Sequence, residues 1–237
     1  MTNVIGSLPS GCHIGFDKLI LQENGYEVKC GLSTEELQNV YQLRAKIFCN
    51  ELRWVGSPND ELEIDEFDEL ATHLAVIENG EIIACLRIHP YYANWMACTV
   101  FHDLLRVPPK AMKTPDACEV SRLALAPEHR HRRLKDGTEP AEALYRGLFA
   151  FCTLKQVRYV YMIVSLPVLR SLRRHGLPCE AISSRKKMED GVIALAGRLD
   201  WVRFFEINRR HNPNRLDRFL ATLTKTTEIH QALGENT

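Results

Sequence analysis

Three consecutive stretches decide the fold: "CEVSRLALAP" (residues 118–127), "EPAEALYRGLFAFCTLKQV" (139–157) and "RYVYMIVS" (158–165). The first and third are apolar runs of strand length. The middle one places Leu144, Leu148, Phe149 and Cys152 on one helical stripe. Pro140 stands near its start, where a missing N–H costs nothing. Strand, helix and strand in that order form a crossover unit. Upstream, "THLAVI" (72–77) and "EIIACLRIHP" (81–90) are two strands, and the Asn79-Gly80 pair between them is a strong hairpin signal. "GYEVKCGL" (25–32) is a short strand. "STEELQNVYQLRAKIFCNEL" (33–52) opens a helix with Ser33 at the cap and Glu36 three residues on. "LPVLRSLRRHG" (166–176) is a helix stopped by Gly176, and "GVIALAGRLDW" (191–201) is a last strand. A hairpin feeding a crossover predicts a single α/β domain with helices on both faces of a mixed sheet. The expected division is an irregular extension over residues 1–24, one domain over 25–207 and a polar, helical or loose tail over 208–237.

Composition narrows the function. Thirty basic residues balance thirty acidic ones in the 237-residue chain, so nothing global argues for nucleic acid or an anionic membrane. The longest apolar runs, such as residues 160–169, are too short to span a bilayer. The N-terminus has no basic start followed by an apolar stretch, so no secretory signal is read there. The eight cysteines include no CxxC and no His/Cys pairing at metal-ligand spacing. They read as reduced thiols of a cytoplasmic protein, and no metal is expected.

Residues that break the hydrophobic pattern point to a site. Arg44 falls on the apolar stripe formed by Leu37, Val40, Tyr41 and Phe48. Burying a guanidinium without a partner costs several kcal/mol, so it requires a carboxylate. Arg87 sits mid-strand, where period 2 puts it with Ile83 and Cys85 and opposite Ile82, Ala84, Leu86 and Ile88. Glu119 and Arg122 would face opposite ways on a regular strand. A bulge near Val120 or Ser121 would bring them together and open a gap beside the strand. "ELEIDEFDELATHLAV" (61–76) begins with six carboxylates in ten residues. Asp65 and Asp68 are read as counter-charges for the three arginines, and Glu61, Glu63, Glu66 and Glu69 as a solvated face. The segment lacks the alternation and turn glycine of a calcium loop. "LALAPEHRHRRLKDG" (123–137) lies between a strand and a helix start, where backbone N–H groups bind phosphate. It resembles the coenzyme A loop of Gcn5-related acetyltransferases but has no Gly-x-Gly. Arg130, Arg132 and Arg133 are instead available to a phosphopantetheine phosphate or an acidic carrier protein.

Together "LRAKIFCNELRW" (43–54), "EIDEFDELATHLAV" (63–76), "ACLRIHP" (84–90), "TVFHDLL" (99–105) and "CEVSRLAL" (118–125) resemble successive motifs of the acyl-homoserine-lactone synthases, the autoinducer synthases of quorum sensing. The match runs over roughly residues 40–176. The family's characteristic positions fall on Arg44, Phe48, Trp54, Asp65, Asp68, Arg87, Glu119 and Arg122. The resemblance implies a Gcn5-related N-acyltransferase fold, a three-layer α/β/α sandwich with a splayed sheet. It also implies acyl transfer from a thioester on acyl carrier protein, or on coenzyme A, to the amine of S-adenosylmethionine. Lactonisation and release of methylthioadenosine follow. Both molecules are substrates, and no cofactor is implied. Glu119 would be the base, with Arg87 and Arg122 beside it, and Arg44, Phe48, Trp54, Asp65 and Asp68 would bind substrate. Arg170, Arg173 and Arg174 would meet the carrier protein. Met96, Leu125, Met162 and Val164 are candidate walls of an acyl tunnel. The chain departs from the family at Cys118, where Trp is usual, and at "RIHPY" (87–91), where "RLLPT" is common. "EHRHRRL" (128–134) is closer to N-acyl amino acid synthases, which acylate a free amino acid and are the alternative reading.

Overall fold

The computed structural model describes residues 19–23, 25–56, 60–188 and 190–232. Among these residues nine strands form one sheet: β1 (Leu19–Glu23), β2 (Tyr26–Lys29), β3 (Thr72–Glu78), β4 (Glu81–Pro90), β5 (Ala117–Leu125), β6 (Tyr159–Ser165), β7 (Glu180–Ala181), β8 (Lys186–Lys187) and β9 (Ile193–Asp200). The helices are α1 (Thr34–Arg44), α2 (Pro109–Met112), α3 (Pro140–Leu154), α4 (Leu166–Arg174), α5 (Trp201–His211) and α6 (Pro213–Ala232). Sheet order is β1-β2-β3-β4-β5-β6-β9-β7, with β8 also on β9. Every pairing is antiparallel except β5 with β6.

Local chemistry sets the main elements. Ser33 and Glu36 close a reciprocal capping box on α1. The helix then widens into a π-helical stretch over Ala45–Glu51. Asn79 and Gly80 both take positive φ, the two-residue turn that matches the twist of β3 and β4. Within α3, a side chain at Gly147 would put its Cβ 2.5 Å from Val28, so glycine lets the helix lie close on β2. Helices α3 and α6 cover one face over a core that includes Val28, Leu74, Leu148 and Phe149. On the other face α1 and its π-helical continuation pack Val40, Leu43 and Ile47 against Ala75 and Cys85. Cys49, Cys85, Cys118 and Cys152 are buried and free. Among the described residues no helix is long and apolar enough to cross a membrane.

Four expectations change. Strand β1 lies inside the extension expected to be irregular, while residues 1–18 fall outside the described ones. Helix α5 runs across the expected boundary at 207, capped by the Asp200 side chain on the Val202 N–H. Helix α6 packs on the body: Phe219 is in the core, and Thr226 donates to the Ile20 carbonyl at 2.5 Å. Finally, the β3–β4 register slips beside Ile83, so Ile83 joins Ala84 in the α3 core instead of facing with Cys85.

Candidate active site

Strand β5 organises the site. It pairs with β6 only from Ala117 to Glu119, after which the two strands diverge. Against β4, Ser121 and Ala124 stand opposite Arg87 and Cys85, which leaves Arg122 and Leu123 facing the single residue Leu86. The extra residue is the bulge expected from the sequence, but it centres on Arg122, whose φ is +51°. The bulge sends neighbouring residues into different surroundings. Arg122 enters a charged network, and Leu123 lines an apolar cavity.

The network joins all three pattern-breaking arginines. Arg44, at the end of α1, donates from Nε to Glu63 at 2.6 Å and from Nη1 and Nη2 to Asp68 at 2.7 and 3.0 Å. Arg87 donates to both oxygens of Asp65 and, at 2.8 Å, to Asp68. Arg122 donates to Glu63 at 2.8 Å and to Asp65 at 2.7 Å. Arg44 and Arg87 are completely buried. Local turn chemistry holds the acidic segment in place for these pairings. Asp65 caps a short 3-10 turn over Glu66–Asp68, and the Asp68 carboxylate accepts from the Asp65 N–H in return. Glu61, Glu66 and Glu69 are exposed, but Glu63 is only 5% exposed. Its assignment to a solvated face is therefore corrected: it bridges Arg44 and Arg122. Three guanidinium groups thus face three carboxylates. Burial alone would raise the pKa of Glu63 and of Asp68. Arginine hydrogen bonds, from Arg122 and Arg44 on Glu63 and from Arg44 and Arg87 on Asp68, hold both below the ordinary range.

Glu119 stands apart from these pairs. It is 1% exposed and accepts from the backbone N–H groups of Met96 and Ala97, both at 2.7 Å. Burial outweighs those two bonds and pushes its pKa up to about 7. Met96 links it to the network: its sulfur lies 3.1 Å from Arg87 Nη2 and 3.6 Å from Arg122 Nη1. Of the residues expected to wall an acyl tunnel, Leu125 lines the cavity beside β5, whereas Met96, Met162 and Val164 do not.

Between the diverging strands lies a cavity of about 710 Å³, lined by Ile47, Leu123, Leu125, Tyr145, Leu166 and Val168 among others. Phe48 and Trp54 connect the two regions. The Phe48 ring lies 5.4 Å under the Arg122 guanidinium and 6.2 Å from the Trp54 ring, which borders the cavity and is 41% exposed. Arg130, Arg170 and Arg174 also line the cavity and are exposed.

The basic loop is less available than the sequence implied. Arg130 is engaged by Glu51 through two bonds of 2.7 Å, and Arg132 pairs with the buried Glu78. Arg133 bonds the Gly137 carbonyl at 2.8 Å and Glu139 at 3.4 Å. Arg173 turns to the Cys179 carbonyl at 3.0 Å and does not border the cavity. The sequence reading missed the bonding role of Ser121 and gave Glu63 and Met96 other places. The period-2 spacing of Glu63 and Asp65 was the available signal for Glu63.

A buried charge network and an apolar cavity lie on either side of one bulged strand and together form the candidate active site. The autoinducer synthase family model matches residues 29–204, and the chain belongs to that family. It is 32% identical over 167 residues to an acyl-homoserine-lactone synthase of Aeromonas hydrophila, covering 68% of this chain and 79% of that one. The synthase of Aeromonas salmonicida is 31% identical over 166 residues, with the same shares. Among solved structures, the CoA-dependent acyl-homoserine lactone synthase BjaI with MTA has the same fold, with a TM-score of 0.65. The identity there is 21%, over 82% of this chain and 90% of that one.

Proposed function

We propose that the two regions divide the synthesis of an acyl-homoserine lactone between them: the cavity takes the acyl thioester, and the Asp65–Arg87–Glu119 side takes S-adenosylmethionine. The observation that carries this reading is Glu119, a buried carboxylate raised to about 7 beside a strand that opens into an acyl-sized cavity. An α-amine has an ordinary pKa of about 8, so a base near 7 is well matched to remove its proton. The freed amine attacks the thioester carbonyl, and the oxyanion forms beside β5. The β5 N–H groups that β6 leaves unpaired beyond Glu119 are suited to stabilise it. The C–S bond then breaks, and the thiol leaves with the proton. The S-adenosylmethionine carboxylate attacks its own γ-carbon and breaks the bond to the sulfonium sulfur. Methylthioadenosine and the lactone result.

Asp68 is fully engaged by arginines, so we assign it to holding the site's shape. Asp65 keeps 22% of its side chain exposed and is the carboxylate offered to the cationic substrate. Phe48 and Trp54 wall the acceptor. We take the donor to be carrier-bound: Arg170 and Arg174 are exposed and make no ion pair among the described residues, which suits an acidic carrier surface. The free cysteines support a reducing, cytoplasmic setting.

The test is direct. Purified protein is given S-adenosylmethionine with the same acyl chain on carrier protein or on coenzyme A. Methylthioadenosine and an N-acyl lactone are the expected products, with faster turnover of the carrier-bound donor. An acyl amino acid formed without methylthioadenosine would overturn the acceptor, and equal use of both donors the carrier assignment.

A further inference from the structure

His89 on β4 is fully buried, and its Nδ1 has no hydrogen-bond partner. Its Nε2 lies 3.2 Å from Ser121 Oγ. The same hydroxyl oxygen accepts from Arg87 Nε at 3.0 Å. Across the ladder Ser121 stands opposite Arg87, and Glu119 stands opposite His89. One hydroxyl therefore joins an imidazole to the guanidinium that grips Asp65.

Counting protons fixes the direction of the link. Arg87 has no acceptor atom, so Ser121 must accept from it. The hydroxyl proton is then free for His89 Nε2, the side-chain acceptor within reach. That places the imidazole proton on Nδ1, where one buried donor is left unmatched. The opposite tautomer would donate from Nε2 to Ser121. It would leave the hydroxyl proton and Nδ1 both without partners, so the first arrangement is favoured. Burial agrees with a neutral ring, since it lowers the His89 pKa to about 3. The Phe67 ring packs edge-on at 6.2 Å and offers no competing acceptor. His73, opposite Arg87 on β3, approaches Asp68 instead, at 3.4 Å.

We infer that His89 is a positioning residue for Arg87: through the Ser121 hydroxyl it sets the rotation of the guanidinium that presents Asp65 to S-adenosylmethionine. This rests on the assignment of that side of the network to S-adenosylmethionine. Without the imidazole, the hydroxyl loses its orientation and the Arg87 fork turns about its stem. Asp65 then loses its two-point grip and its aim. Glu119 is held by Met96 and Ala97 and keeps its place.

The experiment is a double-mutant cycle of His89→Leu and Ser121→Ala, read as the S-adenosylmethionine KM and as kcat. Each single variant is expected to raise KM about tenfold with kcat within twofold. The double variant should be no worse than either one, because both break the same link. His89→Gln, whose amide oxygen can accept from Ser121, should recover most of the affinity. In the wild type, nitrogen NMR of the His89 ring should show a protonated Nδ1 and a bare Nε2. Single effects that multiply in the double variant, an unchanged KM in His89→Leu, or a protonated Nε2 would each overturn the inference. A wild type that releases no methylthioadenosine would sink the acceptor assignment itself, and the NMR result would still report the link.

Discussion

Arg122 and Leu123 are neighbours in the chain and belong to opposite kinds of environment. On the Arg122 side, three guanidinium groups and three carboxylates satisfy one another. On the Leu123 side lie about 710 Å³ of largely apolar space. The contrast shows how one bulge serves both chemistry and stability. The charged half is filled by its own counter-ions and holds its shape. The apolar half is open and, on the proposed reading, takes the acyl chain.

The largest effect should come from breaking the charged half. Asp68→Ala leaves Arg44 and Arg87 short of a partner, and such a loss costs about 3–5 kcal/mol. Urea unfolding should show it, while Glu61→Ala on the exposed side of the same segment shifts stability by less than about 0.5 kcal/mol. The pH dependence separates the carboxylates as well. Glu63 and Asp68 are depressed, so their contribution is present above the ordinary range of about 4 and is lost as pH falls below it. Glu119 is raised, so its contribution runs the other way, present at low pH and lost between about 4 and about 7. Unfolding midpoints of the wild type and Glu119→Gln, followed across that window, should therefore converge or cross as pH rises. A constant gap would show that Glu119 titrates at an ordinary value.

Next in size is catalysis at the seam. Glu119→Gln should lower kcat by about 10²–10⁴-fold with little change in donor KM. Wild-type kcat should rise with pH through about 7, as the base loses its proton. Equal loss of kcat and donor affinity would make Glu119 a structural residue instead.

On the apolar side, Leu125→Trp should shift the kcat/KM preference from longer to shorter acyl chains by about 10–200-fold, the usual worth of a methylene in a pocket. The S-adenosylmethionine KM should stay where it is, and a parallel change there would mean that the two halves are not separate. The smallest effect is expected at the exposed arginines. Arg170→Ala should cost less than about fivefold in kcat/KM for a carrier-bound donor, and the difference should vanish in high salt.

The charged half was legible before the structure because burial makes arginine conspicuous. Arg44 and Arg87 interrupt apolar stripes, and the demand for counter-charges pointed to Asp65 and Asp68. Glu63 was missed because a carboxylate in an acidic run carries no such mark: Glu61 and Glu66 look the same and face water. Helix α6 was underread for a related reason. Leu216, Phe219, Leu220 and Leu223 repeat at helical spacing, but the polar residues between them diluted the stripe. The loop arginines illustrate the opposite error. Arg130 and Arg132 looked available until Glu51 and Glu78, distant in sequence, proved to engage them.

By itself the sequence determined the main elements between residues 25 and 201, the hairpin turn, the buried cations and their need for anions, because spacing, turn chemistry and desolvation act locally. Only the tertiary structure decided which anions answer, where the bulge falls and that two strands part to leave a cavity. Those depend on register and on the meeting of segments far apart in the chain, and no local pattern encodes them.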